Sequence, residues 1–435
     1  MTRRIEGRAV LLLDNIGPEA VPILEQVGVR VIDAKRGFDK DAEAALCQYI
    51  TVNFQTGELA AICLRSSTTL GAAIMPFLRE MGVELIVRFG SGTDNIDETA
   101  ASEVGIIVEN TAGQNANGVA ELVPAFMVAL TRNVDKAIKA MLAREILPKL
   151  LAARAQLSDC PSAIDELVTQ LQGYAKAEKT GFKGTEIEGK TVGIIGLGRI
   201  GSKVARKLLG MGMKVLAYDP KSELEITGVT RVELATLLAE SDFITIHASG
   251  SQQLIGQEEI QQMAKRPYLF NLARRGVVDL AAVMAALQAD QLAGFASDLD
   301  DPAHPVFGLA HTIITPHIGA TTKESEARCA QVGAQHVVDW LTDGFICDGV
   351  NIPDTAIKRR QNGRLVVLNR NEPGALGAVT DCVRDRGLNI HSLANEGRER
   401  GGLAYTVMDL DDPFGEDLIA ALAALPQVVR VIGLK

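Results

Sequence analysis

The sequence predicts an α/β chain in which two doubly wound parallel-sheet lobes precede a small antiparallel βαββαβ module. Three observations carry this. Short apolar runs recur roughly every 20 to 30 residues through the first hundred positions with helical patterns between them. The same rhythm resumes at Lys190, and the chain after Gly363 reads strand, helix, strand, strand, helix, strand. A length of 435 residues suits about three domains, and 47% hydrophobic with 23% charged residues excludes a disordered or collagen-like chain. The formal charge of -10 would repel a phosphate backbone, which argues against nucleic acid as a partner. The opening apolar run is about five residues long, with no small-residue cleavage site after it. No stretch reaches the roughly 20 apolar residues that cross a bilayer. A cytoplasmic chain with no membrane partner is expected. Cys47, Cys63, Cys160, Cys329, Cys347 and Cys382 stand singly, without metal-ligand spacing, so they read as reduced thiols and no metal site is expected.

In chain order, Ala9 to Leu13, Val29 to Asp33, Ala60 to Leu64, Leu85 to Phe89 and Ile106 to Val108 are aliphatic or β-branched and read as parallel strands joined by crossover helices. From Val119 to about Ala153 the pattern is helical, with Pro124 and Pro148 expected to kink or interrupt it. Ala155 to Lys179 reads as a second, more polar helical stretch of a long connector. Strands follow at TVGII before Gly196, at Lys214 to Tyr218, Phe243 to His247, Tyr268 to Leu272 and Gly294 to Ser297, making a second doubly wound sheet. Thr312 to Thr315 is a last strand before a helix with acidic residues in its first turn. Pro353 and the basic cluster at Lys358 to Arg360 mark a linker. The expected organisation is a first lobe of residues 1–118 and 309–350, a nucleotide domain of 119–308 that includes the connector at about 119–180, and a ferredoxin-like module of 363–435 complete in itself.

Gly196-Leu197-Gly198-Arg199-Ile200-Gly201 follows an apolar strand and opens a helix. Gly196 permits a tight turn, Gly198 lets backbone approach a pyrophosphate, and Gly201 lets the helix pack on the strand, while the helix N-terminus offers N–H groups to the anion. The next strand ends in Asp219, where a carboxylate accepts hydrogen bonds from an adenosine ribose and would repel a 2′-phosphate. The pattern is that of a Rossmann-like domain for NAD. Further on, Asn271 to Asp279 places Arg274 at the carboxyl end of a strand, Gly294 to Pro302 supplies carboxylates, and Thr315-Pro316-His317-Ile318-Gly319 places a histidine after the last strand. Oxidation of a hydroxy acid needs a base, a carboxylate to orient it and a cation for the substrate carboxylate.

With these motifs the chain resembles the D-isomer-specific 2-hydroxyacid dehydrogenases over nearly all of residues 60–435. The resemblance includes Leu64-Arg65-Ser66, Arg88-Phe89-Gly90-Ser91-Gly92-Thr93-Asp94-Asn95-Ile96-Asp97, and Asn110-Thr111 with Asn115, Asn117, Ala120 and Glu121. Asn369 to Leu376, followed by Gly387-Leu388-Asn389-Ile390, resembles an ACT domain, a regulatory amino-acid-binding module. The resemblance implies that Arg274 grips the substrate carboxylate and His317 carries the proton. It implies cofactor contacts at Gly196, Gly198, Arg199, Ile200, Gly201, Asp219, Leu272, Ala273, Arg274, Asp298, His317 and Gly319, and His247 lining the cofactor cleft. Substrate contacts are implied at Arg65, Ser66, Arg88, Gly90 and Asn115, with Arg65 and Arg88 as cations for a phosphate.

Three departures stand out. Arg275 replaces a usual glycine, Ser249 a common proline, and the segment Asp298-Leu299-Asp300-Asp301-Pro302 is shorter than the family's glutamate-bearing one. Asp301, or alternatively Asp298, then partners the histidine. His304, His311, His336 and His391 read as surface or capping residues. The resemblance implies NAD-dependent oxidation of 3-phospho-D-glycerate to 3-phosphohydroxypyruvate, the first step of L-serine synthesis. The alternatives are another D-2-hydroxyacid dehydrogenase, of the glyoxylate or hydroxypyruvate reductase type, or a non-catalytic NAD(H)-sensing protein. It also implies a homodimer or homotetramer in which Asn371 and Asn389 bind L-serine as effector, with Asn369 where a histidine is common.

Overall fold

The computed structural model describes residues 5, 7–154, 168–169, 172, 179–250, 252–298, 303–360 and 363–434. The chain forms two compact units, Met1–Asn115 with Lys323–Lys435, and Ala116–Thr322.

The first unit begins with β1 (Ala9–Leu12), α1 (Ala20–Glu25), β2 (Arg30–Asp33), α2 (Glu43–Asn53), β3 (Leu59–Leu64), α3 (Met75–Glu80), β4 (Leu85–Arg88), α4 (Glu98–Glu103) and β5 (Ile107–Asn110). The strands form a parallel sheet in the order β2-β1-β3-β4-β5. Both faces are buried, and the pleat divides β1 between them: Ala9, Leu11 and Leu13 pack in one apolar cluster, Val10 and Leu12 in the other. Parallel order sends every β–α loop to one edge, so the residues after β3, β4 and β5 emerge together.

The second unit holds α5 (Ala116–Thr131), α6 (Val134–Arg154), β6 (Thr191–Ile195), α7 (Arg199–Gly210), β7 (Lys214–Tyr218), β8 (Val229–Arg231), α8 (Leu234–Glu240), β9 (Phe243–Ile246), α9 (Gln257–Gln261), β10 (Tyr268–Asn271), α10 (Leu280–Gln288), β11 (Gly294–Ser297) and β12 (Thr312–Ile314). Its parallel sheet has the order β12-β11-β10-β9-β6-β7-β8. The sequence pattern assigns residues 309–350 to the first lobe, but β12 pairs with β11 through Phe295–Thr312, Ala296–Ile313 and Ser297–Ile314, so the chain returns to the first unit only at Lys323. Pro124 and Pro148 lie inside α5 and α6 without ending them. The break falls at Asn133, whose left-handed φ of 51° suits a helix stop. The buried stripe Val119, Val123, Phe126, Met127 and Leu130 offsets the roughly 3 kcal/mol that an interior proline costs. Most of the helical stretch expected over Ala155 to Lys179 lies outside the described residues.

Back in the first unit, α11 (Lys323–Asp343) precedes β13 (Gly363–Arg370), α12 (Ala375–Arg384), β14 (Ile390–Gly397), β15 (Leu403–Leu410), α13 (Glu416–Ala423) and β16 (Val428–Leu434). The last four strands form an antiparallel sheet, β14-β15-β13-β16, the ferredoxin-like arrangement expected. The module is not a separate body, because both faces of its sheet are apolar. Leu365 and Val367 of β13 pack with α12 and α13, whereas Val366 and Leu368 join the cluster around Trp340 and Leu341 of α11. Arg430 donates to the carbonyls of Val83, Gly105 and Gly82 at 2.5, 3.2 and 3.2 Å, and the Tyr405 hydroxyl donates to the Gly344 carbonyl. The Arg364 Nε and Nη2 reach Asp409 at 2.7 and 3.0 Å, and Nη1 donates to the Asp343 and Ile357 carbonyls.

On β5 the Glu109 carboxyl is fully buried, with Oε2 3.3 Å from His336 Nδ1 and Oε1 accepting from the Cys347 amide at 3.3 Å. His336, read from the sequence as a surface or capping residue, is thus a core one. Burial pushes Glu109 well above the ordinary carboxyl range, helped by Asp354, Asp339 and Asp348, and burial pushes His336 down. Among the described residues no helix is long and apolar enough to cross a membrane.

Two stability outcomes follow. Arg364→Ala leaves the buried Asp409 carboxylate without its guanidinium partner, with the Arg360 amide and Ser392 hydroxyl as remaining donors, and should cost about 3–5 kcal/mol in urea denaturation. Glu109, with its raised folded pKa, contributes stability that is complete below the unfolded value of about 4.3 and is lost as pH rises through the folded value. The melting temperature of Glu109→Gln should therefore gain on the native chain as pH increases from 4 to 8; a difference independent of pH would contradict the raised pKa of Glu109.

Candidate functional site

In the second unit the β6–α7 turn has the geometry the fingerprint requires. Gly196 has φ 94°, and a Cβ there would stand 2.6 Å from the Ala248 nitrogen. A Cβ on Gly201 would stand 2.0 Å from the Gly196 oxygen, whereas one on Gly198 would meet nothing within 4 Å. Two glycines are thus demanded by close backbone, and the third faces open space where a pyrophosphate can approach. Arg199 and Ile200 open α7 beside it. After β7, Asp219 accepts from the Leu197 amide at 2.8 Å through one oxygen, and from Lys221 and Ser222 at 2.9 and 3.1 Å through the other. The carboxylate therefore also ties the glycine turn to the next loop. Arg231, nearby, donates to the carbonyls of Asp219, Ser222 and Leu224. At the end of β9, His247 Nε2 lies 2.9 Å from the Thr245 hydroxyl, and burial pushes its pKa down to about 3, so the ring is neutral.

Three adjacent strands of the same sheet carry the candidate catalytic residues. Beyond β10, the Asn271 side chain accepts from the Ala273 amide and donates to the Arg274 carbonyl, both at 3.1 Å, shaping the turn Leu272-Ala273-Arg274. Beyond β11, Asp298 is 3% exposed and accepts from the Thr315 hydroxyl at 2.5 Å and from the Ile318 and Gly319 amides at 2.8 and 2.6 Å. Beyond β12, His317 sits between these anchors with a left-handed φ of 58°. Asp298 thus fixes the loop bearing the histidine; Asp301, the other candidate partner, lies outside the described residues. Arg274, Asp298 and His317 share the sheet edge from which the glycine turn also leaves.

In the first unit, Arg65 and Ser66 follow β3, Arg88 and Gly90 end and follow β4, and Asn115 follows β5, again on adjacent strands. Arg65 Nη2 pairs with Glu326 at 2.9 Å and Nη1 donates to the Asn15 carbonyl at 3.3 Å. A Cβ on Gly90, which has φ 148°, would stand 1.4 Å from Arg88 Nη1, so the guanidinium folds directly over that glycine. Asn115 accepts from the Ser91 hydroxyl at 2.7 Å, and Ser91 in turn accepts from the Gly113 amide. The two effector candidates do not meet within one module. Asn371 donates to the Glu399 carbonyl at the Leu403 end of β15, and Asn389 to Asp411 at the Leu410 end. Among the described residues no group of three or more His, Cys, Asp or Glu side chains could hold a metal ion.

Sequence reasoning missed the supporting residues: Asn271 as shaper of the Arg274 turn, Asp14 below the Arg65 turn, and the Glu109–His336 pair. Asp14 and Glu109 are polar residues inside or beside apolar strands, which is the available signal, but their partners are distant in sequence.

Comparison with known proteins bears on this geometry. Residues 156–319 match the family model of the D-isomer specific 2-hydroxyacid dehydrogenase NAD binding domain, and residues 365–430 that of the AHAS small subunit-like ACT domain. D-3-phosphoglycerate dehydrogenase from Archaeoglobus fulgidus is 31% identical over 355 residues, covering 79% of this chain and 59% of that protein. The enzyme of the same name from Homo sapiens is 30% identical over 354 residues, covering 79% and 58%. The chain therefore spans less than two thirds of the length of these curated relatives. The NAD+-bound 3-phosphoglycerate dehydrogenase of Entamoeba histolytica superposes with a TM-score of 0.59 at 24% identity over 79% of this chain and 98% of that one, a likeness of fold.

The position of Asp219 sets an expected cofactor preference. The native chain should bind NADH more tightly than NADPH, and Asp219→Ala should narrow that ratio by about tenfold or more, read by cofactor fluorescence titration. Equal affinities in the native chain would remove Asp219 from ribose recognition.

Proposed function

We propose that the chain, whose residues 156–319 match the D-isomer specific 2-hydroxyacid dehydrogenase NAD binding domain, is a dehydrogenase of that family and oxidises the C2 hydroxyl of a small D-2-hydroxy acid, with 3-phospho-D-glycerate as the leading substrate and 3-phosphohydroxypyruvate as product. The observation that carries the proposal is the placement of Arg274, Asp298 and His317 on the ends of three adjacent parallel strands, on the edge that also bears the glycine turn. Two curated relatives named D-3-phosphoglycerate dehydrogenase, at 31% and 30% identity, support the choice of substrate.

In this mechanism Gly196 to Gly201 and Asp219 hold the dinucleotide, with Leu272, Ala273, His247 and Gly319 along its path. Bound NAD supplies the acceptor for the hydride that leaves C2. Arg274 takes the substrate carboxylate with its planar fork and orients C2. His317 removes the hydroxyl proton, and Asp298 keeps the imidazole in place by anchoring Thr315, Ile318 and Gly319. Arg65 and Arg88, with Ser66, Gly90 and Asn115, serve the remote end of the substrate. The Arg65–Glu326 ion pair favours a second reading, an unphosphorylated acid such as the glyoxylate or hydroxypyruvate pair, because a phosphate would have to compete with a carboxylate for Arg65.

The setting is a cytoplasmic homo-oligomer in L-serine synthesis. An effector such as L-serine gripped by both Asn371 and Asn389 requires two copies of the module, since one copy holds them at opposite ends of β15.

Rates of NADH oxidation with 3-phosphohydroxypyruvate, hydroxypyruvate and glyoxylate test the substrate, with and without L-serine. His317→Ala and Arg274→Ala should each lower kcat/KM by about 10²- to 10⁴-fold while NADH binding persists. Tight NADH binding with no turnover of any 2-oxo acid would replace the enzyme by a cofactor-sensing protein.

A further inference from the structure

The turn that follows β3 is held from below by one buried carboxylate. Asp14 is 3% exposed and has a left-handed φ of 64°, uncommon for a residue with a side chain. One of its oxygens accepts from the amides of Arg65 and Thr68 at 2.6 and 3.3 Å, and the other from the Thr68 hydroxyl at 2.5 Å. Its own amide donates to the Arg36 carbonyl at 2.7 Å, which fixes the backbone that aims the carboxylate. From the other side Asn95 donates to the carbonyls of Arg65 and Thr68 at 2.8 and 2.5 Å. Both ends of the four-residue turn are therefore clamped at N–H and at C=O, by two side chains that come from elsewhere in the chain.

Space around the clamp is tight. A Cβ on Gly37 would stand 2.6 Å from the Asp14 carboxylate and 2.6 Å from the Ser67 side chain, so Gly37 is the gap through which the two approach. The middle of the turn differs from its ends. Ser66 and Ser67 are exposed, and their amides have no acceptor among the described residues. The neighbouring Asn15 carbonyl accepts from the Arg65 guanidinium, so the segment after β1 orients both the backbone and the side chain of Arg65.

We propose that Asp14 is a positioning residue for the substrate, setting the Arg65–Thr68 turn so that Ser66 and the Arg65 guanidinium meet the remote end of the acid. This rests on the dehydrogenase activity proposed above. Asp14 touches neither substrate nor cofactor and acts through the turn. A charge-assisted bond to a backbone N–H is stronger than a neutral one, which is why a carboxylate suits this place. Its loss loosens the turn without touching the glycine loop or Asp219.

The test uses the full chain with Asp14→Ala and Asp14→Asn. Asparagine keeps the side-chain shape and tolerates left-handed backbone, and it removes the charge. The KM for the preferred 2-oxo acid should rise about tenfold or more in Asp14→Ala and by less in Asp14→Asn, with NADH affinity unchanged in both. A merely structural role would lower the melting temperature or kcat and leave KM as it was in Asp14→Asn, and that result overturns the proposal. If Asp14→Ala does not fold, Asp14→Asn decides alone. If the native chain reduces no 2-oxo acid, the activity assignment fails, and amide exchange at Arg65 and Thr68 in Asp14→Asn then judges the clamp. Faster exchange at these two amides supports it, and unchanged exchange overturns it.

Discussion

Where parallel strands end together, the loops leaving them carry backbone N–H groups that the sheet cannot satisfy, and those loops are the ones that must hold functional side chains. The protein answers with aspartates placed just past the strands. Asp14 follows β1 and takes the amides of Arg65 and Thr68. Asp219 follows β7 and takes those of Leu197, Lys221 and Ser222. Asp298 follows β11 and takes those of Ile318 and Gly319. In each case at least one of these bonds reaches the loop of a neighbouring strand end, so that loop is tied across the sheet edge. The apolar strands supply a rigid base, and these carboxylates convert that rigidity into fixed positions for Arg65, the glycine turn and His317.

The C-terminal module obeys a different constraint. A βαββαβ sheet has one face for its helices and a second face that must be covered by something. Here Val366, Leu368, Leu403, Tyr405, Val407 and Ile432 lie in one continuous cluster with Trp340 and with β-strand residues of the first unit. Trp340 donates to Glu84, which also pairs with Arg8, and Arg430 caps the carbonyls of Gly82, Val83 and Gly105. These contacts seat the module on the core beneath β4 and β5, the strands that end at Arg88 and lead to Asn115. The cluster therefore joins the module to the rest of the first unit by direct side-chain packing.

Most strands were legible because they are short aliphatic runs bounded by turn residues, and the nucleotide turn was legible because its three glycines and Asp219 stand at fixed offsets. The helical breaks were not. Pro124 and Pro148 are strong local signals for interruption, yet burial of one face holds α5 through its proline, and an asparagine in left-handed conformation makes the actual break. Strand β12 was legible as a strand but not as a member of the nucleotide sheet, since three residues carry no information about which edge they join. Strand β8, largely exposed, lacked the apolar signal altogether. The candidate site residues at the strand ends stand in local motifs that can be read residue by residue. Asp14, Asn95 and Glu109 could not, because their meaning lies in contacts across the fold.

The loop around His317 shows why such contacts decide function. A left-handed backbone costs an ordinary residue about 1–2 kcal/mol, so this conformation does not maintain itself. Asp298 returns more than that, since two charge-assisted bonds from the Ile318 and Gly319 amides are each worth about 1.5–3 kcal/mol, and the Thr315 hydroxyl adds a third contact. Gly319 completes the arrangement, as a Cβ there would stand 2.7 Å from the same carboxylate. The loop is held on both sides of the histidine, at Thr315 before it and at Ile318 and Gly319 after it. The course of the backbone that carries the imidazole is thus set by these anchors.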